Sequence, residues 1–306
     1  AMIEADCAGM SNADIDGFRL RHAYLVKKKK KARLLLGQYW HPLFTTEVVP
    51  TVISLNTGAP FQQFNRSPQV RFDYSLGNSK VIVAALSQRD YANEGPDGRS
   101  PVYLHQAGIP NLHLQWLFQN NRHTFGMAGD VKILRPEITT DSGYFNNNRL
   151  RTFTGAAFYK FEEGKLLVKS KVTAGQNMSE QLMMGGYAVK DLDTLTGIQY
   201  YTPTNNVAAW FNLLYGNRLK FGIFGGYTKN LGTSDVNNGT YYARGSAIDY
   251  VYRISPHVTY KIGKVQFCLE FERTTAAYGK PDDQGKVDAD DVVSNYRTLF
   301  TAFYFF

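Results

Sequence analysis

The feature that most constrains the fold is a two-residue alternation that lasts far longer than in an ordinary strand. From Ile248 to Ile262, apolar residues fill one parity, while the other parity carries polar residues such as Arg253 and His257. Successive side chains of a strand point to opposite faces, so this segment is predicted to be one strand with an apolar and a polar face. A helix would need a period of about 3.6 residues. Strands of soluble domains are usually about 3–10 residues long, which this one exceeds.

The same alternation recurs along the chain, and tight turns join the segments in pairs. Residues 70–76 run into Gly77-Asn78, and residues 112–119 run into Asn120-Asn121. Residues 219–227 follow Gly216-Asn217 in the same way. Asn and Gly are the residues that tight hairpin turns favour, so the pattern predicts antiparallel neighbours.

Long polar connections alternate with these short turns in strict order. They are residues 41–66, 90–109, 137–148, 175–193, 230–245 and 278–290. Such alternation is typical of outer-membrane barrels, which have short turns on one side and long loops on the other. Residues 194–214 are counted as one strand, because splitting them would put the 230–245 loop on the wrong side.

The resulting fold class is all-β, a transmembrane antiparallel β-barrel of about 14 strands. The predicted strands are 2–9, 16–26, 32–41, 68–76, 79–89, 110–119, 122–136, 149–161, 165–174, 194–214, 218–229, 246–262, 264–277 and 292–306. An even number suits antiparallel closure, and an N-terminal hairpin missing from the sequence would make it 16. Residues 1–4 resemble the interior of a strand, so we expect that a leader peptide has been removed.

Composition fits a membrane barrel better than its rival, a soluble β-sandwich or large soluble barrel. Hydrophobic residues make up 43% of the chain and mean hydropathy is −0.32, which looks superficially soluble. No apolar run approaches the roughly 18 residues of a membrane helix. A barrel gives this profile because half of each strand faces a polar lumen. The aromatic residues near strand ends and the length of the strands weigh against a sandwich.

Two segments resemble known outer-membrane proteins. The chain ends on an aromatic strand in which Tyr296, Phe300, Tyr304 and Phe306 share one parity. This terminus resembles the closing strand of Gram-negative outer-membrane β-barrels, which typically end on Phe. Residues 17–41 contain Arg-x-Arg-x-Ala-Tyr followed by Leu-x-Gly-Gln-x-Trp, and they resemble an early hairpin of DcaP-like diffusion porins. The resemblance implies an outer-membrane channel. DcaP-like barrels have 16 strands and form trimers, and our count of 14 strands departs from that number.

If the apolar parity faces lipid, the polar parity lines the pore. The predicted pore-lining residues are Arg19, Arg21, Arg71, Asp73, Lys165, Lys169, Lys171, Arg253, His257 and Lys261. Their excess of bases predicts a mild preference for anionic or zwitterionic solutes, because lining charge sets selectivity. The alternative is that acids such as Glu270 and Glu272 pair with these bases and leave no preference.

The long connection 41–66 is the least polar of the set. Because an apolar external loop is unfavourable in water, it is predicted to fold into the barrel as a constriction loop. Gln62, Gln63 and Arg66 would then lie near the narrowest point. The alternative is a loop that packs over the mouth or against a neighbouring subunit.

The predicted function is passive diffusion of small polar solutes through one barrel domain, residues 1–306, in the bacterial outer membrane. The alternative is a plugged structural barrel that serves as an anchor or a subunit of an assembly. None of the six His lies in a catalytic motif, and Gly-x-Ser-x-Gly is absent, so no enzyme is expected. No cofactor or metal is implied, and Cys7 and Cys268 are not expected to pair.

The expected partners are outer-membrane lipid, lipopolysaccharide near Arg151 and Arg273, and small polar solutes. A homotrimer and an assembly partner are left open. Nucleic acid is not expected, since Lys27 to Lys31 supply five of the net +8 charges. That tract could be a polyanion-binding patch, but we interpret it as a solvated turn between two strands.

Overall fold

The computed structural model describes residues 1–6 and 19–306, and these are mostly antiparallel β-sheet. Cys7, the predicted strand residues 7–9 and 16–18, and the start of the 17–41 hairpin lie outside the described residues. The strands are β1 (Met2–Asp6), β2 (Arg19–Lys29), β3 (Ala32–Trp40), β4 (Arg66–Leu76), β5 (Ser79–Leu86), β6 (Asn111–Gln119), β7 (His123–Leu134), β8 (Leu150–Glu163), β9 (Leu166–Gln176), β10 (Gly185–Leu192), β11 (Gln199–Gly216), β12 (Leu219–Thr233), β13 (Tyr241–Arg244), β14 (Ile248–Ile262), β15 (Val265–Pro281) and β16 (Val287–Tyr304).

Of the sixteen strands in the described residues, fourteen form one continuous antiparallel path in chain order. The path runs from β1 to β9 and continues through β11, β12, β14, β15 and β16. β10 and β13 branch from it, since β10 pairs with both β11 and β13. The predicted count of 14 strands therefore equals the number of strands on this path, which we call the wall. The prediction was wrong to treat 175–193 and 230–245 as loops without strands.

The alternation signal missed β10 because its first five residues are buried on both faces. A strand covered on both sides does not alternate between apolar and polar residues, so alternation cannot reveal it. The single long strand predicted over 194–214 is confirmed as β11. The connection predicted over 278–290 shrinks to residues 282–286, because a register shift at Gly279 lets β15 and β16 stay paired as far as Pro281 and Val287.

A short helix and one apolar cluster lie on the side of the long connections. The helix α1 (Val102–Ala107) buries Tyr103 and Leu104 against the start of β8 and the residues of β10 and β11, in a cluster that includes Tyr187 and Tyr201. Within the described part of the chain, no helix is long and apolar enough to cross a membrane.

The outer face of the wall is apolar and exposed. Val70 and Phe72 are 55% and 45% exposed, whereas Arg71 between them is buried on the inner side. A set of exposed aromatic residues lies within a few positions of the short turns, where interfacial aromatic residues of membrane barrels occur. We call this group the turn-side belt: Tyr74, Trp116, Phe125, Tyr159, Tyr215, Phe221, Tyr260, Phe267 and Tyr304.

The inner face is less polar than the alternation predicts. Ile82, Trp210 and Phe224 lie on the predicted lumen parity, yet they are buried in one apolar cluster. Val48 and Phe61 of the connection between β3 and β4 belong to the same cluster. The inner apolar residues are therefore covered by the chain itself.

The three tryptophans provide a test of which face is which. Trp116 is exposed on the outer face, Trp210 is buried inside, and Trp40 stacks on Phe44. In bilayers containing lipid brominated near the head group, Trp116 fluorescence should be strongly quenched, because this side chain contacts lipid. Variants that keep one tryptophan, with the other two changed to Phe, allow the comparison. Equal quenching of Trp116 and Trp210 would contradict the assignment of faces.

Candidate functional site

The connection 41–65, between β3 and β4, lies against the inner face of the sheet. Its residues hydrogen-bond to side chains of β5, β9, β11, β14 and β15. These strands are spread over most of the wall. The sheet must therefore curve around the connection for all of these contacts to form.

Two lysines of β9 hold the first half of the connection. The Lys169 ammonium donates to the Val49 carbonyl oxygen at 2.8 Å and to Thr51 Oγ1 at 2.9 Å. The Lys171 ammonium, only 1% exposed, donates to the Leu43 carbonyl oxygen. Burying a cation is costly unless its hydrogen bonds are made, so these contacts offset part of that cost.

Two carboxylates hold the middle of the connection. Glu270 of β15 accepts hydrogen bonds from the backbone N–H groups of Ile53 and Ser54, at 2.9 and 3.2 Å. On the other side, Glu47 of the connection pairs with the Lys80 ammonium at 2.6 Å. The connection thus spans the interior from β5 to β15.

Gln62 and Gln63, predicted to lie near the constriction, are both fully buried. Gln62 Nε2 donates to the Phe44 carbonyl oxygen at 2.7 Å, and Gln62 Oε1 accepts from the Trp210 indole at 2.9 Å. Gln63 Nε2 donates to Thr173 Oγ1 at 2.8 Å. Their amide groups therefore fasten the connection to the wall.

Arg66, the third residue predicted near the constriction, is the first residue of β4 and is 1% exposed. Its guanidinium pairs with Asp90 at 2.9 Å and lies 4.2 Å from the centre of the Trp40 ring. Burial raises the pKa of the Asp90 carboxyl, although the Arg66 charge opposes the rise. This ion pair lies where the connection joins β4.

A group of paired charges lies on the inner side of β1 and β2. Arg19 pairs with Asp6 at 2.8 Å, and Arg21 pairs with Glu4 at 2.9 Å. The register of the two strands shifts next to Glu4 and leaves Arg21 as an extra residue of β2. This bulge lets both arginines reach carboxylates on the same side of the sheet.

A second group of paired charges lies on the inner side of β15 and β16. Arg297 pairs with Glu272 at 2.6 Å, and Arg253 lies 3.5 Å from the same carboxylate. The tip of the connection faces this group, since Asn56 Nδ2 lies 3.4 Å from a Glu272 oxygen. Leu55 beside it is 94% exposed. We call the following set the charged strip: Glu4, Asp6, Arg19, Arg21, Glu272 and Arg297.

Most of the predicted pore-lining residues lie on the inner face. These are Arg19, Arg21, Arg71, Asp73, Lys169, Lys171, Arg253 and His257. Lys261 shares their parity but is exposed near the end of β14. Lys165 lies in the turn between β8 and β9, because β8 extends to Glu163.

The prediction did not identify the exposed tip residue Leu55 or the anchor Trp210. Trp210 is an apolar residue on a polar parity, and that mismatch was a usable signal for an interior contact. Nothing in the sequence around Leu55 distinguishes it from its neighbours. Within residues 1–6 and 19–306, no group of three or more His, Cys, Asp or Glu side chains is placed to hold a metal ion.

No family model and no curated protein matches this chain. Solved structures match it over nearly its whole length. An outer-membrane expressed OmpT of Vibrio cholerae has a TM-score of 0.56 at 10% identity, covering 94% of this chain and 82% of that one. The chain has the fold of the outer-membrane β-barrels. A trimer form of in-vitro folded OmpT, also from Vibrio cholerae, has a TM-score of 0.55 at 10% identity, covering 94% and 81%.

A structure described as a porin also matches, with a TM-score of 0.47 at 11% identity over 92% of this chain and 80% of that one. The predicted fold class, a transmembrane antiparallel β-barrel, is confirmed by the outer-membrane neighbours together with the strand path. The likeness supports the general class of outer-membrane barrels and does not single out the DcaP-like kind.

His41, the first residue of the connection, forms a hydrogen bond that depends on its protonation state. Its Nδ1 accepts a hydrogen bond from the Leu43 N–H at 3.2 Å, and its Nε2 lies 3.3 Å from Asp130 Oδ2. Burial lowers the pKa of His41 to about 4. Protonation of Nδ1 would therefore break an existing hydrogen bond.

Acid is expected to loosen the connection 41–65. An exposed His has a pKa of about 6.5. The stability that neutral His41 gives to the docked connection is therefore fully present above that pH and is lost as the pH falls toward 4. The protection factors of the backbone amides of 41–65, taken against their intrinsic exchange rates at each pH, should therefore fall across this range. In His41→Asn, protection should be lower at pH 7 and less dependent on pH. An identical pH dependence in both proteins would exclude His41 as the cause.

Proposed function

We propose that this protein is a channel of the Gram-negative outer membrane, with residues 1–306 forming one barrel domain. Small polar solutes diffuse through it passively, and it catalyses no reaction. The observation that carries this proposal is the connection 41–65, which lies inside the wall with Asn56, at its tip, beside Glu272 of the charged strip. The outer-membrane β-barrel fold supports the same conclusion.

In this proposal, solutes pass between the tip of the connection and the charged strip. Side chains of the strip remain partly exposed, at 33% for Arg21, 35% for Glu4 and 41% for Arg297. On the opposite side, the contacts of the connection with β9 and β11 are buried. The connection 41–65 therefore acts as the constriction loop, with Leu55 and Asn56 at its edge.

Selectivity for anions is mild and arises mainly at the turn-side mouth. Each arginine of the charged strip pairs with a carboxylate, so the strip carries little net charge. Nearer the short turns, Lys220 and Lys261 are exposed on the inner parity. Cations at a pore mouth raise the local concentration of anions.

A plugged structural barrel, serving as an anchor or assembly subunit, is the second candidate. The apolar cluster that joins Val48 and Phe61 to the inner face favours it, because these contacts fill part of the lumen. Conductance distinguishes the two candidates.

We further propose a homotrimer, which the trimer form of the Vibrio cholerae neighbour makes plausible. Outer-membrane lipid surrounds the wall. Lipopolysaccharide would contact the side with the long connections, where Arg151 is exposed and Arg273 lies beside Tyr252 and Tyr296.

Removing residues 48–62 should increase single-channel conductance severalfold in planar bilayers, because the constriction is lost while the hydrogen-bonded wall remains. Glu270→Ala, which removes the acceptor for two backbone N–H groups, should give a smaller increase or more noise. Glu94→Ala is the matched control, since that carboxylate pairs with Arg99 in an external connection. Unchanged conductance on deletion would contradict a constriction role, and a folded wild type without conductance would favour the plugged barrel.

In a salt gradient, the reversal potential of the wild type should indicate a weak preference for anions. Lys220→Gln/Lys261→Gln should shift it toward zero, because both lysines are exposed on the inner parity. Lys165→Gln/Lys264→Gln removes the same charge from the short turns and should shift it less. A preference for cations in the wild type would overturn the proposed selectivity.

A further inference from the structure

The lysine tract 27–31 is not simply a solvated turn, because three of its residues belong to β2. The register of β2, β3 and β4 sets Lys29 in line with Tyr74 and Lys27 in line with Phe72. Only Lys30 and Lys31 form the tip of the hairpin. The earlier interpretation of the whole tract as a turn is therefore wrong.

Directly opposed residues of antiparallel strands share a face of the sheet. Phe72 and Tyr74 are exposed on the outer face, so Lys27 and Lys29 project outward as well. Leu25, two residues before Lys27, is 59% exposed and agrees with this direction. Lys28 is opposed to Arg33 and thus faces inward.

Lys29 consequently occupies a place that an aromatic residue, Tyr74, occupies two strands away on β4. The turn-side belt marks the level of the lipid head groups, where interfacial aromatic residues lie. A lysine at that level keeps its aliphatic stem along the apolar surface and extends its ammonium to the head groups. Lys30 and Lys31 add two further charges at the tip.

The described part of the chain supplies no counter-charge for these lysines. Among the carboxylates of residues 1–6 and 19–306, none forms an ion pair with any lysine of the tract. Asp73, close by on β4, already pairs with Arg33 and Arg71. Five adjacent ammonium groups repel one another, so an anionic partner would stabilise the hairpin.

We propose that Lys27 and Lys29, assisted by Lys30 and Lys31, bind the phosphate head groups of anionic phospholipids in the leaflet next to the short turns. The lipid surface is the partner that fits, because the two strand lysines point away from the lumen and lie in line with lipid-facing side chains. Clusters of lysines beside membrane-spanning segments attract anionic lipid in this way. The site depends on the membrane barrel and not on channel activity.

The test uses the full chain refolded in phosphatidylcholine vesicles that contain spin-labelled phosphatidylglycerol or spin-labelled phosphatidylcholine. The fraction of label immobilised by the protein gives its relative affinity for the two lipids. Wild type should prefer phosphatidylglycerol at low salt, and Lys27→Gln/Lys29→Gln should reduce that preference by about fivefold or more, given the usual contribution of one interfacial lysine. High salt should weaken the wild-type preference as well.

Lys165→Gln/Lys264→Gln is the matched control, because it removes two exposed lysines from other short turns. It should leave most of the preference intact, and Lys27→Arg/Lys29→Arg, which keeps the charge, should retain it. Heat-modifiable mobility on gels establishes that each variant is folded. Equal preference in Lys27→Gln/Lys29→Gln and wild type would overturn the proposal. If that variant instead changes only the cross-linked mass of the assembly, the lysines contact a second copy and the lipid site is refuted.

Discussion

A bilayer offers no water to backbone N–H and C=O groups, so a chain that crosses it must pair these groups internally. The antiparallel path from β1 to β16 does this by hydrogen bonds between neighbouring strands. Side chains then have only two directions available. The outward set meets lipid and is apolar, while the inward set can be polar wherever water or another part of the chain receives it.

The connection 41–65 turns part of the inner face into a protein core. Phe61 packs near Phe224 on one side of it, while Lys169 and Glu270 hydrogen-bond to its backbone on others. Buried charges are costly to leave unpaired, and here each meets a backbone dipole. Side chains of the charged strip, among them Glu4, Arg21 and Arg297, stay partly exposed. The connection thereby fills part of the interior and leaves these charged side chains uncovered.

Much of the wall was predictable from period-two alternation and from the Asn and Gly of the short turns. β10 was not, because it is buried on both faces and carries no alternation. The inward direction of Arg19 and Arg21 was predicted from a shared parity, yet a bulge beside Glu4 interrupts that parity, and the same bulge sends Lys27 outward. The burial of Gln62 depends on Trp210, which is 148 residues away in the chain, and no local pattern encodes such a contact.

The path of the connection also has a mechanical consequence. A wall held together only by hydrogen bonds between adjacent strands can flatten, because a small change in the angle between each pair of strands needs little free energy. The connection begins and ends on the neighbouring strands β3 and β4, yet it is pinned to Lys80 on one flank and to Glu270 on the far flank. The connection therefore fixes the distance between distant parts of the wall. Because it spans the interior, it helps the cross-section of the barrel to keep its shape.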